Sequence, residues 1–158
     1  MKLGLITAIC EGMTFEEVVD FAAENGLECL EVACWPQGGA QRRYAGVSHI
    51  DVANLDEEKA NDIKNLCAKK GVEISALAYY PNTLDPDLEK RQSYIAHLYK
   101  LIDASAMLDV NMITTFIGRV PTKNFSENLE IVKEVWPPIL EYAQKKGVKV
   151  AIENCPML

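Results

Sequence analysis

Glu153 closes the apolar run VKVAIE at 148–153 and is followed by Asn154, Cys155 and Pro156. A carboxylate at the end of a buried apolar strand needs a cation, strong hydrogen bonds or a proton. Two readings fit Glu153: a metal ligand or general base, and a rim carboxylate held by loop amides. Asn154 beside it is a candidate substrate contact, and Cys155 reads as a small packed residue. Glu31 interrupts ECLEVACW in the same manner; a carboxylate with a structural partner is the simpler reading there. Trp35 ends that run, either as an apolar wall beside a bound ring or as a core aromatic.

Three further segments carry polar candidates. In 79-YYPNTLDPD-87, Tyr80 offers a hydroxyl and Asn82 an amide that both donates and accepts. The same residues make a turn, and a turn and a substrate loop are compatible. In FIGRVPTKNF, Gly118 permits close backbone approach, and Arg119 either holds an anionic group or is a solvated loop residue. His49 lies in the long irregular stretch 35–54 and is a candidate to face a site, whereas His97 sits in a helical pattern and reads as structural. Two separated histidines do not form a zinc site, and no Cys–His pair for nucleophilic catalysis is visible.

These residues need elements to hold them. A helical pattern, a Gly and a β-rich run recur in AENGLECLEVAC, AKKGVEISALAY, AMLDVNMITTFIG and AQKKGVKVAIEN, with Asp109 in the Gly position of the third copy. Gly71, Asp109 and Gly147 are evenly spaced, 38 residues apart. Gly26, Gly71 and Gly147 suit the left-handed position that closes a helix, and Asp tolerates it. Thr14 with Glu17 reads as a capping box, Asp87 and Ser126 as N-caps, and the second helix starts between Asn54 and Asp56. The pattern predicts strands over 3–9, 28–34, 73–79, 111–117 and 148–153. It predicts helices over 15–25, 55–70, 88–108 and 127–146, the last kinked or split at Pro137-Pro138.

Strands alternating with helices predict an α/β protein with a parallel sheet of about five strands and four helices. Either an open doubly wound sheet or the first part of a (β/α)8 barrel satisfies this. No GxGxxG or GxxxxGK[ST] occurs, so nothing supports a dinucleotide or P-loop site.

The 158 residues suffice for one domain, and 49% apolar with 25% charged residues is a globular balance. The net charge of −7 argues against nucleic acid as a partner. The apolar runs are strand-sized, so no membrane partner is expected, and LGLITAIC reads as a first strand rather than a signal peptide. Five Cys without a CxxC pair predict reduced thiols and a cytoplasmic location.

The motifs LGLITA, GLECLEVACWP, RRYAGVSHIDV, ISALAYYPNTLDPD and VKVAIENCPM together resemble the N-terminal half of the sugar phosphate isomerase/epimerase group within the xylose isomerase-like TIM barrels. The resemblance spans essentially the whole chain and implies a partial barrel, residues 1–158 forming one domain that is its N-terminal portion. It implies a divalent metal (Mn, Mg, Co or Zn), absent if this chain lacks the later ligands, and a sugar or sugar phosphate substrate. Glu153 would be the first metal ligand and an acid/base in proton transfer through an enediolate. Trp35, His49, Tyr80, Asn82, Arg119 and Asn154 stand beside it as the candidate substrate contacts named above from the residues themselves.

An inosose dehydratase-like lyase and a non-catalytic half-barrel assembly module are the alternatives. A DNA-repair endonuclease on the same barrel is disfavoured by two His and the acidic charge. Four and a half strand–helix units cannot close an eight-stranded barrel, so the expectation is a fragment that is not competent alone, or a homodimer that buries the open face.

Overall fold

The computed structural model describes residues 1–36 and 46–153. Strands β1 (Gly4–Ile6), β2 (Cys29–Ala33), β3 (Glu73–Ala78), β4 (Met112–Thr115) and β5 (Lys149–Ile152) alternate with helices α1 (Phe15–Glu24), α2 (Glu57–Lys70), α3 (Leu88–Met107) and α4 (Phe125–Lys145). All strands are parallel and lie in chain order, β1-β2-β3-β4-β5. A doubly wound sheet reverses its strand order at a switch point. This sheet does not, so of the two expected architectures it has the barrel-segment order.

Alternation along the strands sets the core. Val32, Leu77, Ile113 and Val150 are register partners across neighbouring strands and so share one face. They pack with Val18 and Val19 of α1, Cys67 of α2, Leu98 and Ile102 of α3 and Ile139 of α4. Burying each large aliphatic contributes about 1.5–3 kcal/mol. The four helices therefore cover one face, and the residues between these positions turn to the other.

The helix ends follow local chemistry. Thr14 and Glu17 form the capping box before α1, and Asp56 and Asp87 cap α2 and α3. The cap of α4 is Asn124, not Ser126. Asn124 and Glu127 satisfy each other's backbone N–H groups, which places Ser126 inside the first turn. Gly26, Gly71, Gly147 and Asp109 all have positive φ, as expected of Gly or Asp at a position that closes a helix.

The helix α4 is not split at Pro137-Pro138 but runs through both. The carbonyls left without intrahelical donors belong to Lys133 and Glu134, which are exposed, and both prolines are exposed too. Water can satisfy those carbonyls, while buried Trp136 and Ile139 on either side keep the helix on the core.

The first strand is shorter than the predicted 3–9. At Thr7 the chain turns into a single 3-10 turn, Thr7–Ile9. The Thr7 hydroxyl oxygen accepts from the Ala33 N–H at 2.9 Å and faces His49 Nδ1 at 3.0 Å. With Oγ1 accepting from Ala33, its own hydrogen is available to Nδ1. That arrangement is satisfied by neutral imidazole. Burial holds the His49 pKa below its ordinary value. His97 is also lowered by burial; its Nε2 lies 2.8 Å from the Cys34 carbonyl.

The loops after β3 and β4 are clamped together. Asn82 Oδ1 accepts from the Arg119 N–H at 2.8 Å, and Asn82 Nδ2 donates to the Arg119 carbonyl at 2.9 Å. Gly118, at φ 79°, leaves room for this; a Cβ there would sit 2.6 Å from Asn82 Oδ1 and 2.8 Å from the backbone nitrogens of Thr83 and Leu84.

Two predictions follow from these junctions. Gly147 has a similar φ of 71° but open surroundings. Gly147→Ala is expected to cost about 1 kcal/mol of backbone strain, and Gly118→Ala about 3 kcal/mol, because overpacking adds to the strain. Urea unfolding of both variants checks this, and equal losses would contradict the clamp.

The second prediction concerns pH. Both histidines have folded pKa values below the ordinary 6.5, so the unfolded chain binds more protons than the folded one in that window. Their stabilisation is complete above pH 6.5 and is lost as pH falls below it. Urea midpoints at about pH 7.5 and about pH 5.5 should show the drop, and the double variant His49→Gln/His97→Gln should flatten it.

Candidate functional site

The sheet face turned away from the helices carries Glu31, Tyr80 and Thr114 at the C-terminal half of the strands. Glu31 is the register partner of Ala76, and Ala78 that of Thr114, so β2, β3 and β4 each place a residue on this face. The register slips between Leu30 and Glu31, leaving Ser75 of β3 as the extra residue; its hydroxyl donates to the Leu30 carbonyl at 3.0 Å. Such a bulge re-aims the side chains that follow it.

Glu31 Oε1 accepts two hydroxyls, one from Tyr80 Oη and one from Thr114 Oγ1 at 2.8 Å. The Tyr80 ring rests against Phe116, with centroids 4.6 Å apart. Burial, then the bond to Glu31, raises the Tyr80 pKa, so its hydroxyl stays protonated and donates. Ala151 of β5 is the register partner of Thr114, so strand alternation puts Glu153, two residues on, on the same face.

Glu153 follows β5 directly, and its N–H donates to the Thr115 carbonyl at 2.9 Å. The expected burial of its carboxylate is not seen: Glu153 is exposed. The sheet ends at β5, which pairs with β4 only, so no further strand covers it among the described residues. The ion pairs among the described residues involve neither Glu31 nor Glu153.

The other candidates scatter. Trp35 makes an edge contact with Tyr79, whose ring in turn meets His97 of α3, so this aromatic row belongs to the helix side of the sheet. His49 is half-buried against Thr7. Asn82 is committed to the Arg119 backbone, and Arg119 itself is half-buried in the same loop. Asn154 lies outside the described residues. The structure thus brings Tyr80 and Glu153 toward one place, with Glu31, which sequence reasoning had set down as structural, between Tyr80 and Thr114. Strand alternation was the signal available for Glu31: it stands one residue off the apolar positions Leu30 and Val32.

Three of the thiols are not activated. Burial raises the pKa of Cys34 and Cys10 and pushes Cys67 up to about 11, so all three stay protonated at neutral pH. Among the described residues no group of three or more His, Cys, Asp or Glu is placed to hold a metal ion. Glu153 offers one carboxylate at the rim and does not by itself fit a divalent metal, which needs several donors.

Comparison with known proteins fits this architecture. A family model described as xylose isomerase-like TIM barrel matches residues 19–158. The uncharacterized protein YfiH of Bacillus subtilis (strain 168) is 28% identical over 149 residues, covering 89% of this chain and 44% of that protein. D-psicose 3-epimerase from Clostridium cellulolyticum H10, solved with D-tagatose, superposes with a TM-score of 0.72 at 19% identity, over 96% of this chain and 52% of that one. A solved IOLI protein with a binding zinc atom gives 0.68 at 15% identity, over 96% and 51%. At such identities the solved structures speak for the fold, and the chain spans about half the length of these relatives. With five parallel strands in chain order and a family match over most of its length, the chain belongs to the xylose isomerase-like TIM barrel family.

Proposed function

We propose that this chain is the N-terminal portion of a sugar or sugar phosphate isomerase or epimerase, acting in the cytoplasm. Its reaction is proton transfer at the carbon next to a carbonyl, through an enediolate. The observation that carries the reading is the position of Glu153, at the C-terminal end of β5 and on the sheet face that carries Glu31, Tyr80 and Thr114. Family membership and the likeness to a solved D-psicose 3-epimerase support it.

In this reading the Glu153 carboxylate is one of two acid/base groups: it takes the proton from the substrate carbon on one face, and a second group on the opposite face gives a proton back to that carbon in an epimerase, whereas in an isomerase the proton goes to the neighbouring carbon. The metal implied by the family resemblance would draw its other donors from outside the described residues, which form no such set. The step that falls to this chain is that of Glu153.

The test is solvent exchange. Incubated in D2O with Mn²⁺ and a panel of ketoses and ketose phosphates, the whole protein of which this chain is the proposed N-terminal portion is expected to place deuterium on the carbon beside the carbonyl. Glu153→Gln should slow this by about 10²–10⁴-fold, the usual worth of a general acid–base group. Loss of water from the substrate in place of exchange would assign a lyase. No reaction in the wild type, or full exchange in the variant, would overturn the proposal.

A second reading, a half-barrel that assembles with its own copy, is favoured by an apolar stripe. Phe125, Leu129 and Leu140 lie within one side of α4 and are 71%, 40% and 48% exposed, and Ile152 of β5 is 46% exposed. Exposed apolar clusters of this kind mark interaction surfaces. Two copies together match the length of one relative, so the proposed occupant is a second copy of this chain. Light scattering after size-exclusion chromatography should give a dimer, and Leu129→Lys/Leu140→Lys should give a monomer with its circular dichroism intact. A wild-type monomer would dismiss the dimer.

A further inference from the structure

Asn25 is the one Asn in the sequence that is followed by Gly. It is the C-cap of α1, in the junction that leads into β2, and both Asn25 and Gly26 are exposed. An Asn side-chain amide before Gly is chemically labile, because no Cβ shields the peptide nitrogen that follows. That nitrogen can attack the Asn Cγ. It loses its proton, a C–N bond forms, ammonia leaves, and a five-membered succinimide remains. Water then opens the ring at one carbonyl or the other. The product is aspartate, or isoaspartate, in which the main chain runs through the former side chain.

The fold controls the first step. Gly26 has φ 69°; its N–H donates to the Ala23 carbonyl at 3.3 Å, and the Leu27 N–H donates to the Ala22 carbonyl at 2.9 Å. These two bonds close the helix in a Schellman motif. The Asn25 Nδ2 donates to the Phe21 carbonyl at 2.8 Å, which fixes the side-chain amide. At ψ 10° the Gly26 nitrogen eclipses the Asn25 nitrogen, whereas ring closure requires it to eclipse Cβ. The closed cap therefore does not cyclise. Only the last turn has to open, because Val18, Val19 and Ala22 are fully buried and hold the helix upstream, while Glu24, Asn25 and Gly26 are exposed. Helix ends open at a small part of the cost of global unfolding.

The products do not restore the cap. Aspartate lacks the donor for the Phe21 carbonyl and brings a negative charge to a helix C-terminus, where the macrodipole disfavours it. Exposed Glu24 and Glu28 add like charge nearby in the chain. Isoaspartate also lengthens the main chain between Asn25 and Gly26. That upsets the spacing by which the Leu27 N–H reaches Ala22 and the Glu28 N–H reaches the Leu3 carbonyl at 2.8 Å, where β1 and β2 come together.

We propose that Asn25 is a site of spontaneous deamidation, gated by opening of the last turn of α1, and that its modification loosens the junction between α1 and β2.

The test follows the purified protein over weeks at mildly alkaline pH. Peptide mapping by mass spectrometry reads the gain of one mass unit, and labelling with an isoaspartyl methyltransferase reads isoaspartate. Conversion is expected at Asn25 ahead of every other asparagine, roughly tenfold or more slower than in a free peptide of residues 21–29. The rate should stay nearly flat in urea well below the unfolding midpoint, because opening one turn exposes little surface. The isolated isoaspartyl form should unfold at a lower urea midpoint than the unmodified protein, and Asn25→Asp should show a smaller drop.

No conversion at Asn25, conversion as fast as in the free peptide, or a rate that climbs with urea in parallel with global unfolding would overturn the gated site. An unchanged midpoint in the isoaspartyl form would overturn the loosening.

Discussion

Side chains of a strand alternate between two faces, and in this chain that alternation separates packing from chemistry. Val32, Leu77, Ile113 and Val150 go to the helices, while Glu31, Tyr80 and Thr114 go to the other face. A slip of one residue would bury Glu31 among the aliphatics and expose the core. The register is held where the slip would matter most, by the bulge at Leu30/Glu31 with the Ser75 hydroxyl on the Leu30 carbonyl and by the Thr7 hydroxyl on the Ala33 N–H. Both devices occupy β2, the strand that carries the carboxylate.

The loops that rim this face are organised by two asparagines more than by the charged residues near them. Asn82 joins the loop after β3 to the loop after β4 by bonding both backbone groups of Arg119. Asn128, 5% exposed inside α4, takes the Val120 N–H at 2.7 Å and returns N–H bonds to the Val120, Lys123 and Asn124 carbonyls. A buried amide that meets several backbone groups at once fixes a loop without any regular ladder. The rim is thus pre-formed over β3 and β4, where Tyr80 and Phe116 sit.

Much of the architecture could be read in the sequence because it rests on local chemistry. Capping boxes, left-handed glycines and apolar runs each act within a few residues, and they located the five strands and four α-helices of the described residues. The failures were local competitions: Asn124 took the cap from Ser126, and exposed carbonyls let α4 continue through two prolines. Glu153 was visible as a strand-end carboxylate, but not its exposure, which depends on what lies beside β5. The partnership of Glu31 was not legible at all. Tyr80 and Thr114 are 49 and 83 residues away from it in the chain, and only the strand register brings them within hydrogen-bond distance.

Strand order has a kinetic meaning as well. Each strand pairs with the one next in sequence, so the sheet can grow by adding one strand–helix unit at a time, with loop closures no longer than a single unit. The Glu31 cluster is different, because its third member arrives only with β4. The scaffold can therefore condense in chain order from its N-terminus, while the carboxylate keeps its water until the fourth strand docks. In this topology the polar centre is among the last features to assemble, and the sheet that holds it does not need it in order to form.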